Sequence, residues 1–367
     1  MGSVTPWDVT GTVQYDKLIK DFGVKELKQL PSPFSDNILF RRGIIFAHRD
    51  FQHIVHAIEQ REPFIMMTGL MPTGKFHIGH LLVAQQMIFY QKLGAKIYIA
   101  VADIEALGAR GQSFEESKRI ALEEYIPNYI ALGLDIKKTH LYFQSKRSSN
   151  ATKSCAYYRL QNQFARHATF NEVKAVYGDI SPGKLFAAML QAADMLHPQL
   201  PVFSGKMPVI VPVGIDQDPH LRLARDISKR QKYTEFSPLC STYHYFMQGL
   251  SGGKMSASDP NSYLALSESP AVIKKKINKY AFSGGCSTVE EHRKKGGNPD
   301  VDVAFQYLRF FFETDDAKLT ELANAYRKGT LLTGELKAYT IDKINSFLER
   351  HQVKLDRARE TVLRLFE

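Results

Sequence analysis

A chain of 367 residues with 44% apolar content is long enough to bury a sizeable core and leads us to expect two domains. Its 48 Lys and Arg against 38 Asp and Glu leave a formal charge of +10, which suits a polyanionic partner such as RNA without demanding one. Three widely spaced cysteines, Cys155, Cys240 and Cys286, argue against a disulfide framework or a cysteine metal site and for a reducing cytoplasm; no apolar run reaches the ~18 residues of a membrane span, and no signal-peptide core is legible.

In chain order, residues 1–63 read as an appended segment with little strand–helix alternation, carrying the single tryptophan, Trp7, and the cluster Phe40-Arg41-Arg42-Gly43. The stretch that organises the rest follows. Phe64 to Met67 is a continuous apolar run of the kind a strand buried on both faces carries, and Gly69, Pro72 and Gly74 supply turn chemistry, so the strand should end near Thr68. From Ile78 the apolar spacing becomes helical, with Ile78, Leu81, Leu82, Gln85, Ile88 and Phe89 on one broad face up to Gly94. The first helical turn then begins at His77 to His80. Unpaired N–H groups and a partial positive charge at a helix N-terminus favour a phosphate. Two imidazoles there would each donate a hydrogen bond to its oxygens, and Gly79 would let a ligand lie against the backbone. Taken alone, the same two histidines also read as a metal-ligand pair or as polar residues at a helix start.

Lys96 to Ala102 predicts a second strand with Asp103 and Glu105 at its carboxyl end, the edge at which open parallel sheets bind ligands; a solvated loop acid is the plainer reading. Ser113 predicts a capping box with Glu116 and a helix running past a kink at Pro127 to about Leu132, and Leu141 to Phe143 the next short strand. Residues 146–205 are more helical, as an insertion within a nucleotide-binding domain would be. Lys146, Arg147, Lys153, Arg159 and Arg166 within it suit RNA or a solvated charged face. Gln191 and Asp194 stand on a helix that is otherwise largely apolar, so they are exposed or line a pocket. Val209 to Val213 predicts a buried strand ending in Gly214-Ile215-Asp216-Gln217-Asp218-Pro219. There a glycine permits close approach of a ribose and a carboxylate accepts from its hydroxyls; by itself the stretch is a helix cap with Pro219 in the first turn. Gly252 to Asp259 is a hydroxyl-rich loop with one lysine, suited to a mobile clamp on a polyphosphate, although most such stretches are solvated turns. Val301, Phe305, Leu308 and Phe312 mark one helix face. Ile341, Leu348, Leu355 and Val362 recur every seventh residue, with Ile344, Ala358 and Leu365 a half-step away, which fits a coiled coil or, more simply, a helix in a carboxyl-terminal bundle.

Together, Pro72 to His80 with His-Ile-Gly-His intact, and Lys254 to Ser258 as Lys-Met-Ser-Ala-Ser, resemble the two signatures of the class I aminoacyl-tRNA synthetases, with Ala257 where a lysine is commoner. Pro6-Trp7, Tyr15 to Ile19, Phe40 to Ile44, His48-Arg49-Asp50, Ala281 to Gly285, Glu290 to Arg293 and Asp300 to Val303 are similar to the archaeal and eukaryotic tryptophanyl-tRNA synthetases, so the resemblance covers nearly the whole chain. It implies an α/β fold: a doubly wound, Rossmann-type parallel-sheet catalytic domain over 64–268 with a helical insertion at about 146–205. An amino-terminal extension over 1–63 would precede it, and a helical anticodon-binding domain over 269–367 would follow. It implies ATP-dependent activation of tryptophan and transfer to tRNA(Trp) by a cytoplasmic homodimer, with Mg2+ arriving with ATP and no metal or membrane site in the protein.

Carried over residue by residue, His77, His80 and Lys254 would be catalytic. Gly69, Pro72, Thr73, Gly74, Gly79, Gly214, Asp216, Met255, Ser256 and Ser258 would join them in binding ATP, and Met67, Glu105, Gln191, Asp194 and Gln217 would bind the amino acid. The eukaryotic tryptophan enzymes have a tyrosine and a glutamine near the indole where this chain has Met67 and Ala100. Asp194 would accept the indole N–H, but it also stands where the archaeal tyrosine enzyme places a carboxylate for the phenol. Tyrosine is therefore the alternative substrate. A non-catalytic RNA-binding relative is the further alternative, against which the intact His77, His80 and Lys254 argue.

Overall fold

The apolar runs form one seven-stranded sheet in the computed structural model, which describes residues 15–28, 30–253, 255 and 259–366; Trp7, Lys254, Ser256 and Ser258 lie outside the described residues. The strands are β1 (Lys25–Glu26), β2 (Ile45–Arg49), β3 (Ile65–Leu70), β4 (Lys96–Val101), β5 (Thr139–Phe143), β6 (Val209–Gly214) and β7 (Leu239–His244), in the order β1-β2-β7-β6-β3-β4-β5. β3 pairs in parallel with β4 and with β6, β4 with β5 and β6 with β7, while β1 and β2 are antiparallel. The chain therefore lays β4 and β5 outward on one side of β3, then returns to build β6 and β7 on the other. This is the expected doubly wound arrangement, and its direction reverses between β3 and β6, where such sheets open a ligand crevice at the strands' carboxyl ends.

Three strands were not legible: β1, which is only two residues long, β2 and β7. β2 falls in the amino-terminal stretch that reads as lacking alternation, because its buried run is only Ile45, Phe46 and Ala47. β7, Leu-Cys-Ser-Thr-Tyr-His, looks too polar for an interior strand yet is buried throughout. Two of its polar side chains pair internally: the Ser241 hydroxyl donates to the Tyr243 hydroxyl at 2.7 Å, and Tyr243 donates to Asp218.

The helices that position the site are α1 (Leu81–Lys92), α2 (Asp103–Arg110), α3 (Ala151–Ala165), α4 (Phe170–Tyr177), α5 (Pro182–Leu196) and α6 (Asp218–Arg230), with α3 to α5 forming the insertion between β5 and β6. α1 is buried on most sides, at Leu81, Leu82, Ala84, Gln86, Met87, Ile88 and Tyr90, and not only on the face that the periodicity marks. Ser113 caps the helix Phe114–Ile120 by accepting from the Glu116 N–H at 3.1 Å, but the capping box is only half formed because the Glu116 carboxylate turns to Arg119 instead. Around Pro127, which lacks an N–H, the regular helix is interrupted by a π turn, Ala121–Tyr125, and resumes as Ile126–Leu132 with the proline in its first turn.

Compactness divides the chain into two units, each discontinuous in sequence: one comprises the segments up to Leu27, Phe46–Thr73 and Val83–His244, the other Lys28–Ile45, Gly74–Leu82 and the chain from Tyr245 onward. The first holds the sheet. In the second, α7 (Pro270–Tyr280) packs on the 34-residue α8 (Thr333–Phe366), whose buried stripe includes Ile341, Ile344, Leu348, Leu355, Ala358 and Val362. The seven-residue repeat is thus the core face of a bundle helix, and Leu365 is left exposed. Val301 is likewise exposed in a turn and drops off the face marked by Phe305, Leu308 and Phe312.

This second unit also uses glycine where no side chain fits. Gly296 ends the helix Val289–Lys295 at φ +75, and a Cβ there would lie 1.8 Å from the Arg327 carbonyl oxygen. Gly296→Ala is expected to cost about 3 kcal/mol or more of stability, read as a lower denaturant midpoint at unchanged slope.

Candidate active site

The first signature changes unit partway: Gly69, Pro72 and Thr73 belong to the first, Gly74 to Leu82 to the second. In the first unit the turn is held by its carbonyls, with Gln112 Nε2 donating to Pro72 O and the Tyr125 hydroxyl to Thr73 O, both at 2.8 Å. Gly74 then adopts φ +63, which favours a residue without a Cβ.

Within the second unit Phe76 to Ile78 runs antiparallel to Leu264 to Leu266: the Ile78 N–H donates to Leu264 O and the Leu266 N–H to Phe76 O, each at 3.0 Å. His77 ends this run in extended conformation, at φ −122, and caps a 3₁₀ turn, Ile78–His80, that leads into α1. His77 Nδ1 accepts the Gly79 N–H at 3.1 Å, and His80 Nδ1 accepts the His77 N–H at 3.0 Å. This is a reciprocal capping box made of two imidazoles. An accepting Nδ1 carries no proton, so each neutral ring bears its hydrogen on Nε2. Burial pushes the His77 pKa down to about 4, and burial with the neighbouring His77 holds His80 well below the ordinary histidine value. Both rings are therefore neutral Nε2–H donors at neutral pH.

The amides expected to face a ligand at this helix start are in part already used, by the histidines themselves. Gly79 is constrained in the same way: a Cβ would lie 2.9 Å from Met255 Sδ and 3.0 Å from the His77 ring. The motif's own groups fill the space a side chain would need.

In the first unit, the groups beyond the strands' carboxyl ends form a buried polar network. Asp103 serves structure: it accepts from the Ile104 and Ser145 N–H groups, each at 3.0 Å, and from the Ser145 hydroxyl, joining the end of β5 to the start of α2. Glu105 and Asp194 are bridged by one amide, Gln144 Nε2, at 2.8 and 2.7 Å. The other Asp194 oxygen accepts from the hydroxyls of Tyr142 and Tyr157, both at 2.6 Å. Three protein donors thus occupy most of the roughly four acceptor positions of this carboxylate. Burial raises the pKa of Asp194 to about 6, against those three bonds, and raises Glu105 to about 7, with the Asp194 charge adding to it.

Gln191 Oε1 accepts from the Tyr177 hydroxyl at 2.8 Å, and that hydroxyl lies 2.9 Å from His220 Nδ1, so α4, α5 and α6 share one chain of hydrogen bonds. Gln217 donates to Asp216 at 2.9 Å beyond β6. Asp218, next along, is fully buried on Arg49, which also donates to the Phe22 carbonyl at 2.9 Å. Met67 is buried in β3 and pairs in register with Tyr98, while Ala100 pairs with Gly69. Met66 and Met189 are buried too.

Arg147 is buried, not set on a charged surface. Its guanidinium lies 4.1 Å from the Tyr142 ring centroid and 4.4 Å from that of Phe203, and Nε donates to His197 Nε2 at 2.7 Å. Stacked aromatic faces and a histidine acceptor replace water around this cation.

Gln144, Tyr142, Tyr157, Tyr177 and His220 were not singled out from the sequence. Tyr142 and Gln144 did carry a signal, since residues two apart at the end of a strand share a face. The tyrosines from the insertion carried none.

The family of tRNA synthetases class I (W and Y) matches residues 59–349. The tryptophan–tRNA ligase of Hyperthermus butylicus is 42% identical over 99% of this chain and 97% of its own length, and that of Methanocaldococcus jannaschii 41% identical over 99% and 98%. The crystal structure of tryptophanyl-tRNA synthetase from Aeropyrum pernix K1 matches with a TM-score of 0.90 at 41% identity, covering 96% of each chain. With the doubly wound sheet and the imidazole pair of the first signature, these likenesses show that the chain belongs to the class I tRNA synthetases of the tryptophan and tyrosine group and, within it, to the tryptophan–tRNA ligases.

Proposed function

We infer that this protein activates tryptophan with ATP and transfers it to tRNA(Trp); the observation that carries the reading is 42% identity to a tryptophan–tRNA ligase over nearly the full length of both chains. In the first half-reaction a tryptophan carboxylate oxygen bonds to the α-phosphorus as the bond to the β-phosphate oxygen breaks, and pyrophosphate leaves with the Mg2+ that entered with ATP. In the second, a terminal ribose hydroxyl of tRNA takes the acyl group and AMP departs. Neither step needs a covalent enzyme intermediate, so positioned charge and hydrogen bonding supply the catalysis.

In this reading His77 and His80 donate from Nε2 to phosphate oxygens, and Lys254 neutralises the pyrophosphate. Gly69, Pro72, Thr73, Gly74 and Gly79 admit the nucleotide, Gly214 and Asp216 hold the ribose, and Met255, Ser256 and Ser258 accompany Lys254. Glu105 takes the ammonium group, with Gln191 and Gln217 beside it, and Met67 lines the side-chain pocket. Asp194 accepts the indole N–H with its remaining acceptor position. Residues 269–367 meet the anticodon of the tRNA, for which the net charge of +10 suits the chain, and the protein works as a cytoplasmic homodimer.

The test is ATP–pyrophosphate exchange with tryptophan and tyrosine supplied separately. Exchange with tryptophan alone is expected. Exchange with tyrosine alone would move the assignment to the related enzyme, as Met67, Ala100 and the tyrosine-bonded Asp194 would then suggest; no exchange with either would leave an RNA-binding relative.

A further inference from the structure

His77 has a neighbour that neither signature contains. Tyr263 is buried, 5% exposed, and its ring centroid lies 4.9 Å from that of His77 with the planes 36° apart; on His77 the His80 ring stands at 3.8 Å and 31°. The Gly79 N–H donates to His77 Nδ1 at 3.1 Å, and one bond of this kind leaves the imidazole a torsional swing about it. Contact with two tilted rings narrows that swing, and with it the direction of the Nε2–H.

Tyr263 is itself held from behind. Lys276 on α7 is buried, and its ammonium donates to the carbonyls of Pro260 and Tyr263, the latter at 3.0 Å, pairs with Glu268, and lies 5.2 Å from the Tyr263 ring centroid. All three N–H donors of the buried cation are used, so the group is anchored, not merely enclosed. The next residues, Leu264 to Leu266, are those that pair with Phe76 to Ile78. One lysine thus sets the segment that carries both the backbone partner and the ring partner of His77.

We propose that Tyr263, seated by Lys276, is a positioning residue for His77, aligning its imidazole for the phosphate-binding role inferred above. The proposal rests on that role. Tyr263 acts through the flat contact of its ring with the His77 imidazole.

The experiment measures tryptophan-dependent ATP–pyrophosphate exchange and thermal melting on the full chain for Tyr263→Leu, Tyr263→Phe, His77→Ala and the double variant His77→Ala with Tyr263→Leu. Tyr263→Leu is expected to lower kcat about 10-fold with the tryptophan KM nearly unchanged, and Tyr263→Phe to retain activity. In the His77→Ala background Tyr263→Leu should cost little more, because the ring it positions is gone. An unchanged kcat in Tyr263→Leu, an equal loss in Tyr263→Phe, or the same fold-loss with and without His77 would each overturn the proposal. If His77→Ala alone leaves exchange intact, it is the assignment of His77 that fails.

Discussion

Replacing His77 by alanine is expected to lower kcat for tryptophan-dependent exchange about 100-fold, the usual effect of removing one preorganised donor to developing charge, while the tryptophan KM stays near its starting value. The imidazole is neutral and holds its hydrogen on Nε2 because Nδ1 accepts the Gly79 N–H. With a pKa pushed down to about 4 by burial, the ring gains a proton only as the pH falls through that value. Protonation of Nδ1 would convert an acceptor into a donor facing an amide, which breaks the cap. Exchange should therefore show no inflection from His77 between pH 6 and 8. A rate that fell as pH rose through the ordinary histidine range would mean that the charged ring is the active form, contrary to the geometry. His77→Asn keeps an acceptor for the Gly79 amide and separates the cap from the donor: it should melt like the parent protein and exchange like the alanine variant.

Glu105→Gln is expected to raise the tryptophan KM on the order of 10- to 100-fold, the worth of one charge-assisted hydrogen bond of about 1.5–3 kcal/mol, with a smaller effect on kcat. Burial and the Asp194 charge hold the free Glu105 carboxyl at about 7, while Asp194, at about 6, ionises first as pH rises. An ammonium group binds the ionised carboxylate, so tryptophan affinity should rise as pH climbs through about 7 and level off above it. The glutamine variant has nothing to titrate there, and its KM should be flat across the same window. Measuring KM against pH for both proteins checks the sign. A parent KM that improves toward acid would remove Glu105 from the ammonium site. The single amide of Gln144 holds both carboxylates, so a Gln144 variant should shift the same profile.

Short-range patterns were the legible part of this protein. The run from Phe64, the change to helical spacing at Ile78 and the strand ending at Gly214 were placed within a few residues, because burial on both faces and the 3.6-residue period leave marks on neighbouring positions. Likewise His77 and His80, three apart, had to share one helical turn. β2 and β7 escaped because one is too short to show a period and the other is a polar-looking strand whose Tyr243 hydroxyl is satisfied by Asp218 on a different element.

In the site, the sequence by itself determined which chemical groups stand at the ends of β4 and β6, and that two imidazoles open a helix. Only the tertiary structure decided their protonation and partners. Whether Glu105 sits at about 7, whether Asp194 faces water or three donors, and which nitrogen of His77 carries the hydrogen depend on Gln144, Tyr142, Tyr157 and Gly79, groups brought within 3.1 Å by strand order, by the insertion between β5 and β6 and by the local turn. Hydrogen bonds and desolvation act over a few ångströms in space, and distance along the chain does not measure that separation.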